Sequence, residues 1–305
     1  MKKEIYLVLL ILTFLVPANI WSQLKAESLF DEDQLLKRLQ ELSSDKYEGR
    51  KTGEKGNTLA RNFIISQFKE LGVQPINSVF EQNFSFKLKK EKLKGVNVLG
   101  KIKGTHFPEK YIVMSAHYDH LGVLDGKVYN GADDDASGVC ALFAFAEYFR
   151  ENPPKHSVIL LAFDAEEMGL QGSKYFIKNT IIKRKKIVLN INMDMIGRNI
   201  HNELYVVGGK YSENLRRILK QFRNTTTIRL LEGHDGSDGK YNWTLSSDHG
   251  PFHLQKIPFL YFGEEDHVDY HKETDEFKNI DSKYYKEAVH LIMKVFKDVD
   301  AKFTK

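Results

Sequence analysis

Tyr111-Ile112-Val113-Met114-Ser115-Ala116-His117-Tyr118-Asp119-His120 begins the segment of the chain richest in structural signal. Tyr111 to Ala116 is a short, nearly continuous apolar run, the pattern of a strand covered on both faces of a sheet. Two more phrases of concentrated charge follow: Gly131-Ala132-Asp133-Asp134-Asp135-Ala136-Ser137-Gly138 and Phe163-Asp164-Ala165-Glu166-Glu167. Each adjoins an apolar run, which places its polar residues at strand ends or a helix start rather than on a solvated face. Three consecutive aspartates and two adjacent glutamates, brought with a histidine to one sheet edge, cannot all stay ionised at close range unless cations hold them. The pattern therefore predicts a multivalent metal site.

Working outward, apolar residues recur at helical spacing from Ala136 to Phe149, Ser157 to Phe163 reads as another buried strand, Leu170 to Ile181 as helix and Ile187 to Met193 as strand. This β, α, β, α, β alternation predicts parallel strands with crossover helices. In such sheets the functional crevice lies beyond the carboxyl ends of the strands. His117, the Glu166–Glu167 pair and Asp194 each fall just after an apolar strand, so all three groups are expected at one edge, joined by Asp134 from the loop before the Ala136 helix. Asp119, two residues after His117 in an extended segment, is placed to accept the imidazole's other N–H and fix its tautomer.

The flanks read as packing elements. Helices are expected over residues 33–42 and 59–71, the second stopped by Gly72, with a glycine- and charge-rich loop between them. Residues 84–88 and 96–102 alternate as two strands around a lysine-rich hairpin tip. Strands are expected at 204–207, 227–231 and 258–262, helices at 214–222 and from about Asp281, and over Gly233–Gly239 a surface loop, with a wall of a substrate pocket as the alternative. No internal repeat or linker divides the chain, so residues 23–305 are expected to form one domain.

The motifs resemble those of the co-catalytic di-zinc exopeptidases that include bacterial leucyl aminopeptidase and aminopeptidase S, from the Tyr47-Glu48-Gly49-Arg50 loop to the segment around His271. The resemblance implies a three-layer α/β/α sandwich with a mixed, mostly parallel central sheet. It implies that His117 and Asp194 hold one zinc, Glu167 and His271 the other, that Asp134 bridges both, and that the peptide bond after Asp134 is cis. Glu166 falls on the general base, and Ser247-Asp248-His249 matches a phrase that supports the site. Two divalent zincs against three carboxylates and a bridging hydroxide give a neutral inner shell, and two imidazoles with carboxylate oxygens suit zinc. The implied activity is hydrolysis of the N-terminal bond of peptides with a free α-amino group. His267 and His271 imitate a helical i, i+4 zinc pair, but Asp266 and Asp269 favour a loop with His267 as a neighbour of the site and Asp275 as a supporting residue. The chain departs from several relatives at the oxyanion-stabilising tyrosine: Thr244 and Leu245 stand there, leaving a donor such as Tyr241. Other readings of the resemblance are a glutaminyl cyclase with a single zinc and a non-catalytic, receptor-like member of the fold. The cyclase relatives depart from the aspartate phrase that is intact here.

Composition limits the rest. Lys2 and Lys3 followed by the apolar run Ile5 to Val16 read as a signal peptide over residues 1–22, cleaved after Ser22, and the run is shorter than the roughly 20 residues a spanning helix needs. Export to the periplasm or outside the cell, without stable membrane insertion after cleavage, is expected. Removing residues 1–22 deletes two lysines and one glutamate, taking the net charge from +4 to +3, too little to imply a nucleic-acid partner. The single cysteine, Cys140, lies in apolar sequence and reads as a buried structural thiol.

Overall fold

The computed structural model describes residues 29–223 and 227–303. The expected signal peptide lies outside them. In chain order the elements are α1 (Glu32–Leu42), α2 (Lys55–Glu70), β1 (Gln74–Pro75), β2 (Glu81–Leu88), β3 (Glu91–Ile102), β4 (Phe107–His117), β5 (Gly122–Leu124), β6 (Lys127–Tyr129), α3 (Gly138–Glu151), β7 (His156–Phe163), α4 (Gln171–Lys178), β8 (Ile187–Met193), β9 (Glu203–Val207), α5 (Glu213–Leu219), β10 (Arg229–Glu232), α6 (His249–Leu254), β11 (Phe259–Gly263) and α7 (Ser282–Lys302).

The apolar run in β4 divides by parity, as side chains on a strand must. Ile112, Met114 and Ala116 pack into a core shared with α1, α2, α3 and α7, whereas Tyr111 and Val113 face a second core with Phe176 of α4 and Phe252 of α6. A sheet covered on both faces is the middle layer of an α/β/α sandwich, as expected. Its order is β1-β3-β7-β4-β8-β11-β9-β10, with β2 paired to β3. The four central strands β7, β4, β8 and β11 are parallel; β3 and β9 run antiparallel to this block, which makes the sheet mixed.

From β4 the chain crosses by α3 to β7 on one side, then by α4 to β8 on the other. Strand order therefore reverses at β4, and a crevice opens at the carboxyl ends of β4 and β8. His117 is the last residue of β4, and Asp194 follows the last residue of β8. Asp31 and Asp281 cap α1 and α7, each accepting two N–H groups of the first turn.

The differences from the sequence reading are local. The loop expected over residues 45–57 contains a short helical turn, Asp45–Arg50, and α2 begins at Lys55, because the apolar stripe reveals only the buried face of a helix and not its polar first turn. The short β5–β6 hairpin and α6 lack enough residues for a period to show. Among the described residues no helix is long and apolar enough to cross a membrane.

Candidate metal centre

Five loops deliver the charged residues to the crevice. After β7 the chain turns at Ala165, whose φ is +60°, and the N–H groups of Glu166 and Glu167 both point at the Asp119 carboxylate (3.0 and 3.3 Å). The adjacent glutamates then diverge. Glu166 lines the cleft, while Glu167 is turned beneath it towards His120 and His271. The three aspartates occupy an irregular helical turn, Ala132–Ser137, and the Asp134–Asp135 peptide bond is cis. Gly131 enters this turn at φ +52°; a Cβ there would lie 2.1 Å from the Asp134 carbonyl and 2.6 Å from the His120 ring, so only glycine fits.

The aspartates divide their work. Asp135 accepts the N–H groups of His117 (3.1 Å), Gly138 (2.9 Å) and Met195 (3.3 Å), tying the ends of β4 and β8 to α3. Asp133 accepts from Gly197 N (2.7 Å) and stands 3.0 Å from His267 Nε2. Because His267 Nδ1 accepts the Asp269 N–H (3.2 Å), Nε2 carries the proton and donates to Asp133, leaving His267 a neighbour of the centre. Asp275 accepts the N–H groups of Asp133 (3.0 Å) and Asp134 (3.1 Å), holding Asp134 by its backbone and leaving its carboxylate free to point inward.

Asp134 is the focus. Its Oδ1 lies 3.1 Å from His117 Nε2, and its Oδ2 lies 3.2 Å from His271 Nε2. On one side His117 Nε2 is also 3.5 Å from Asp194 Oδ1; on the other His271 Nε2 is 3.3 Å from Glu167 Oε2. The five residues expected as ligands are thus gathered into two groups of three that share Asp134. Electrostatics fit a cation-binding centre. Burial alone would raise the Asp134 carboxyl, but His120, His117 and His271 hold it well below its usual value. Burial would depress His117, yet Asp194, Glu166 and Asp134 push it well above its usual value. Hydrogen bonding to Asp134 and Glu167 raises His271 to about 10. Burial pushes the Glu166 carboxyl well up, with Asp248 and Asp194 adding to the effect. The raised His117 and His271 and the lowered Asp134 mark a centre whose carboxylates favour positive charge, the condition under which a bound cation and protons compete for the same atoms.

Asp119 sits otherwise than expected. The second nitrogen of His117 is held by the main-chain carbonyl of Asp119 (3.1 Å), and the carboxylate is 3.8 Å away. Its oxygens are committed to the glutamate turn, so Asp119 positions Glu166 and Glu167 instead of fixing the imidazole. Ser247, Asp248 and His249 do not engage one another: Ser247 accepts from Asn192 (3.0 Å) and the His249 ring meets the Trp243 carbonyl (2.8 Å). They lie where the chain enters α6, all three buried.

Two contributions went unread in the sequence. Arg50, fully buried, donates to the main-chain carbonyls of Tyr118 (2.8 Å), Leu42 (3.2 Å), Asn130 and Gly131 (2.8 Å), clamping the loops that carry His117 and Asp134. His120 places its Nδ1 2.9 Å from Glu167 Oε1. The available signal was the repeated histidine of His117-Tyr118-Asp119-His120. The Gly233–Gly239 loop takes the alternative of the two readings, a pocket wall. Its His234, stacked flat on Trp243 at 3.5 Å, joins Lys240, Tyr241, Trp243, Tyr261 and Tyr270 in walling a cleft of about 710 Å³ over the centre. Thr244, at the position of the missing tyrosine, spends its hydroxyl on Tyr211 (2.8 Å).

A family model described as peptidase family M28 matches residues 97–296. The chain belongs to peptidase family M28. The M28 match contains every residue of the centre from His117 to His271 and leaves Arg50 outside it. The chain is 28% identical over 211 residues to aminopeptidase YwaD of Bacillus subtilis, an alignment covering 64% of this chain and 43% of YwaD. It spans less than two thirds of the length of the curated relatives it matches. In fold it is similar to BSAP, a zinc aminopeptidase from Bacillus subtilis, with TM-score 0.71 and 17% identity over 90% of this chain and 97% of that one. It is equally similar to Porphyromonas gingivalis glutaminyl cyclase, with TM-score 0.72 and 18% identity over 89% and 99%. These likenesses establish the M28-type fold and leave the activity to the site.

Proposed function

We propose that the chain is an exported metalloaminopeptidase whose catalytic domain, residues 23–305, holds two zinc ions and removes N-terminal residues from peptides with a free α-amino group. The observation that carries this reading is the double engagement of Asp134, one carboxylate oxygen facing His117 at 3.1 Å and the other facing His271 at 3.2 Å. His117 and Asp194 would hold one ion, Glu167 and His271 the other, with Asp134 common to both. Bound there, the ions would polarise the scissile carbonyl and lower the pKa of a water.

The remaining chemistry belongs to the protein. Glu166 lines the cleft and is committed to no ligand group, so it would take the water's proton and return it to the leaving amine. Asp119 holds the backbone of both glutamates and thereby aims Glu166 at the cleft and Glu167 beneath it. The Trp243, Tyr261 and Tyr270 walls would seat the N-terminal side chain. Residues 1–22 would direct the protein out of the cytoplasm to a periplasmic or secreted location.

The test combines metal analysis with paired substrates. The purified protein should bind two zincs per chain, lose activity to a chelator, and cleave free aminoacyl substrates but not their N-acetylated forms. Equal turnover of blocked and free peptides would sink the aminopeptidase reading. One ion at saturation, with cyclisation of N-terminal glutamine, would favour the cyclase.

A further inference from the structure

His120 is only 1% exposed, and neither of its ring nitrogens has a hydrogen-bond partner. Glu167 Oε1, 2.9 Å from His120 Nδ1, is likewise buried without a hydrogen bond. The two atoms are near enough to bond but are not aligned to do so. Left this way, each would be a buried polar group without a partner, a costly arrangement in a folded protein. The fold nevertheless makes room for this ring, since the absent side chain of Gly131 is what the imidazole packs against.

Ligand atoms of His120, Asp134 and Glu167 all lie within 4.8 Å of one another, close enough to hold one metal ion. Asp134 Oδ2 lies 3.7 Å from the same Nδ1. Tetrahedral ligands at zinc-like bond lengths of about 2.1 Å stand roughly 3.4 Å apart. His120 Nδ1 stands 2.9 Å from Glu167 Oε1 and 3.7 Å from Asp134 Oδ2, and His271 Nε2 stands 3.3 Å from Glu167 Oε2 and 3.2 Å from the same Asp134 oxygen, separations that scatter about that value.

We infer that His120 Nδ1 is a further ligand of the ion held by Glu167, His271 and Asp134, an inference that rests on the two-zinc reading proposed above. Four protein residues close that ion's sphere, whereas the His117–Asp194 ion has three and opens onto the cleft beside Glu166. Closed spheres are typical of structural zinc and open ones of catalytic zinc. The two ions are therefore unequal: the one at His120 binds first and leaves last.

The experiment is a zinc titration of the metal-free full chain against a chromophoric chelator, repeated with cobalt(II) to read coordination from the visible absorption of the first equivalent. Wild type should show two steps separated by at least about tenfold in Kd. His120→Ala should weaken the tighter step by about 100-fold or more, alter the cobalt spectrum, and leave the other step within about threefold. His120→Asn, which keeps a polar group, should do the same and stands in if the alanine variant does not fold. Retention of both Kd values and the cobalt spectrum by the folded variant would overturn the assignment, as would weakening of the step that Asp194→Asn abolishes. A wild type that saturates with a single ion overturns the two-zinc reading itself, and it is recognised before any substitution is made.

Discussion

Replacing Arg50 with lysine keeps the charge and most of the volume yet removes the planar fork. The guanidinium reaches four carbonyls from three nitrogens: Nε to Tyr118, one terminal nitrogen to Leu42 and Asn130, the other to Gly131. A lysine ammonium donates from one atom and cannot span them, so about two carbonyls lose their partner. At about 1–3 kcal/mol for each buried group left unsatisfied, the variant should be about 2–6 kcal/mol less stable. For a domain of this size that corresponds to a fall in Tm of roughly 5–15 °C. Three of the four carbonyls, those of Tyr118, Asn130 and Gly131, are in the loops that carry His117 and Asp134, so zinc affinity should fall as well. Urea unfolding of the metal-free protein isolates the first effect, and zinc titration of the folded variant the second. A loss below about 0.5 kcal/mol, typical of a surface change, would refute the clamp.

Glu166→Gln should lower kcat by about 10²-fold or more while metal content stays near wild type; Glu167→Gln should instead lose one zinc equivalent, and the reverse pattern would exchange their roles. In the metal-free protein His271 is raised to about 10 and His117 is also raised, so their ion pairs stabilise the fold fully below the unfolded value near 6.5 and are lost as pH rises through the folded values. The Tm gap between zinc-loaded and metal-free protein should accordingly widen from about pH 6.5 to 10, and a constant gap in thermal melts would contradict this. Cys140 is fully buried, and burial pushes its thiol far up. Its labelling by a thiol reagent should be at least about 10³-fold slower in native than in denatured protein, and fast native labelling would place it elsewhere.

Much of the centre was legible locally because its residues sit where the pattern of the chain changes. His117 and Asp194 end apolar runs, and a run of buried residues that stops at a charged one marks a strand's carboxyl end without reference to anything distant. The role expected of Asp119 was half right for the same reason. Two residues' separation brought it near His117, but the carbonyl instead of the carboxylate met the ring, because β7 ends beside β4 and offers the N–H groups of Glu166 and Glu167 to that carboxylate. Asp133, Asp134 and Asp135 are chemically identical in the sequence; only the turn that separates their side chains gives one to the centre and two to the backbone around it.

The α/β alternation and the charged strand ends could be read from the chain alone, since they follow from hydrophobic periodicity within a dozen residues, whereas the proposed ligand set rested on the resemblance of its motifs. Only the tertiary structure decided that β4 stands between β7 and β8, which sets His117 and Asp194 side by side, and that Arg50, His120 and the 233–243 loop belong to the site. Those placements depend on which strands pair and how loops pack across the sheet edge. Such pairings join residues far apart in the chain, and no local pattern records them.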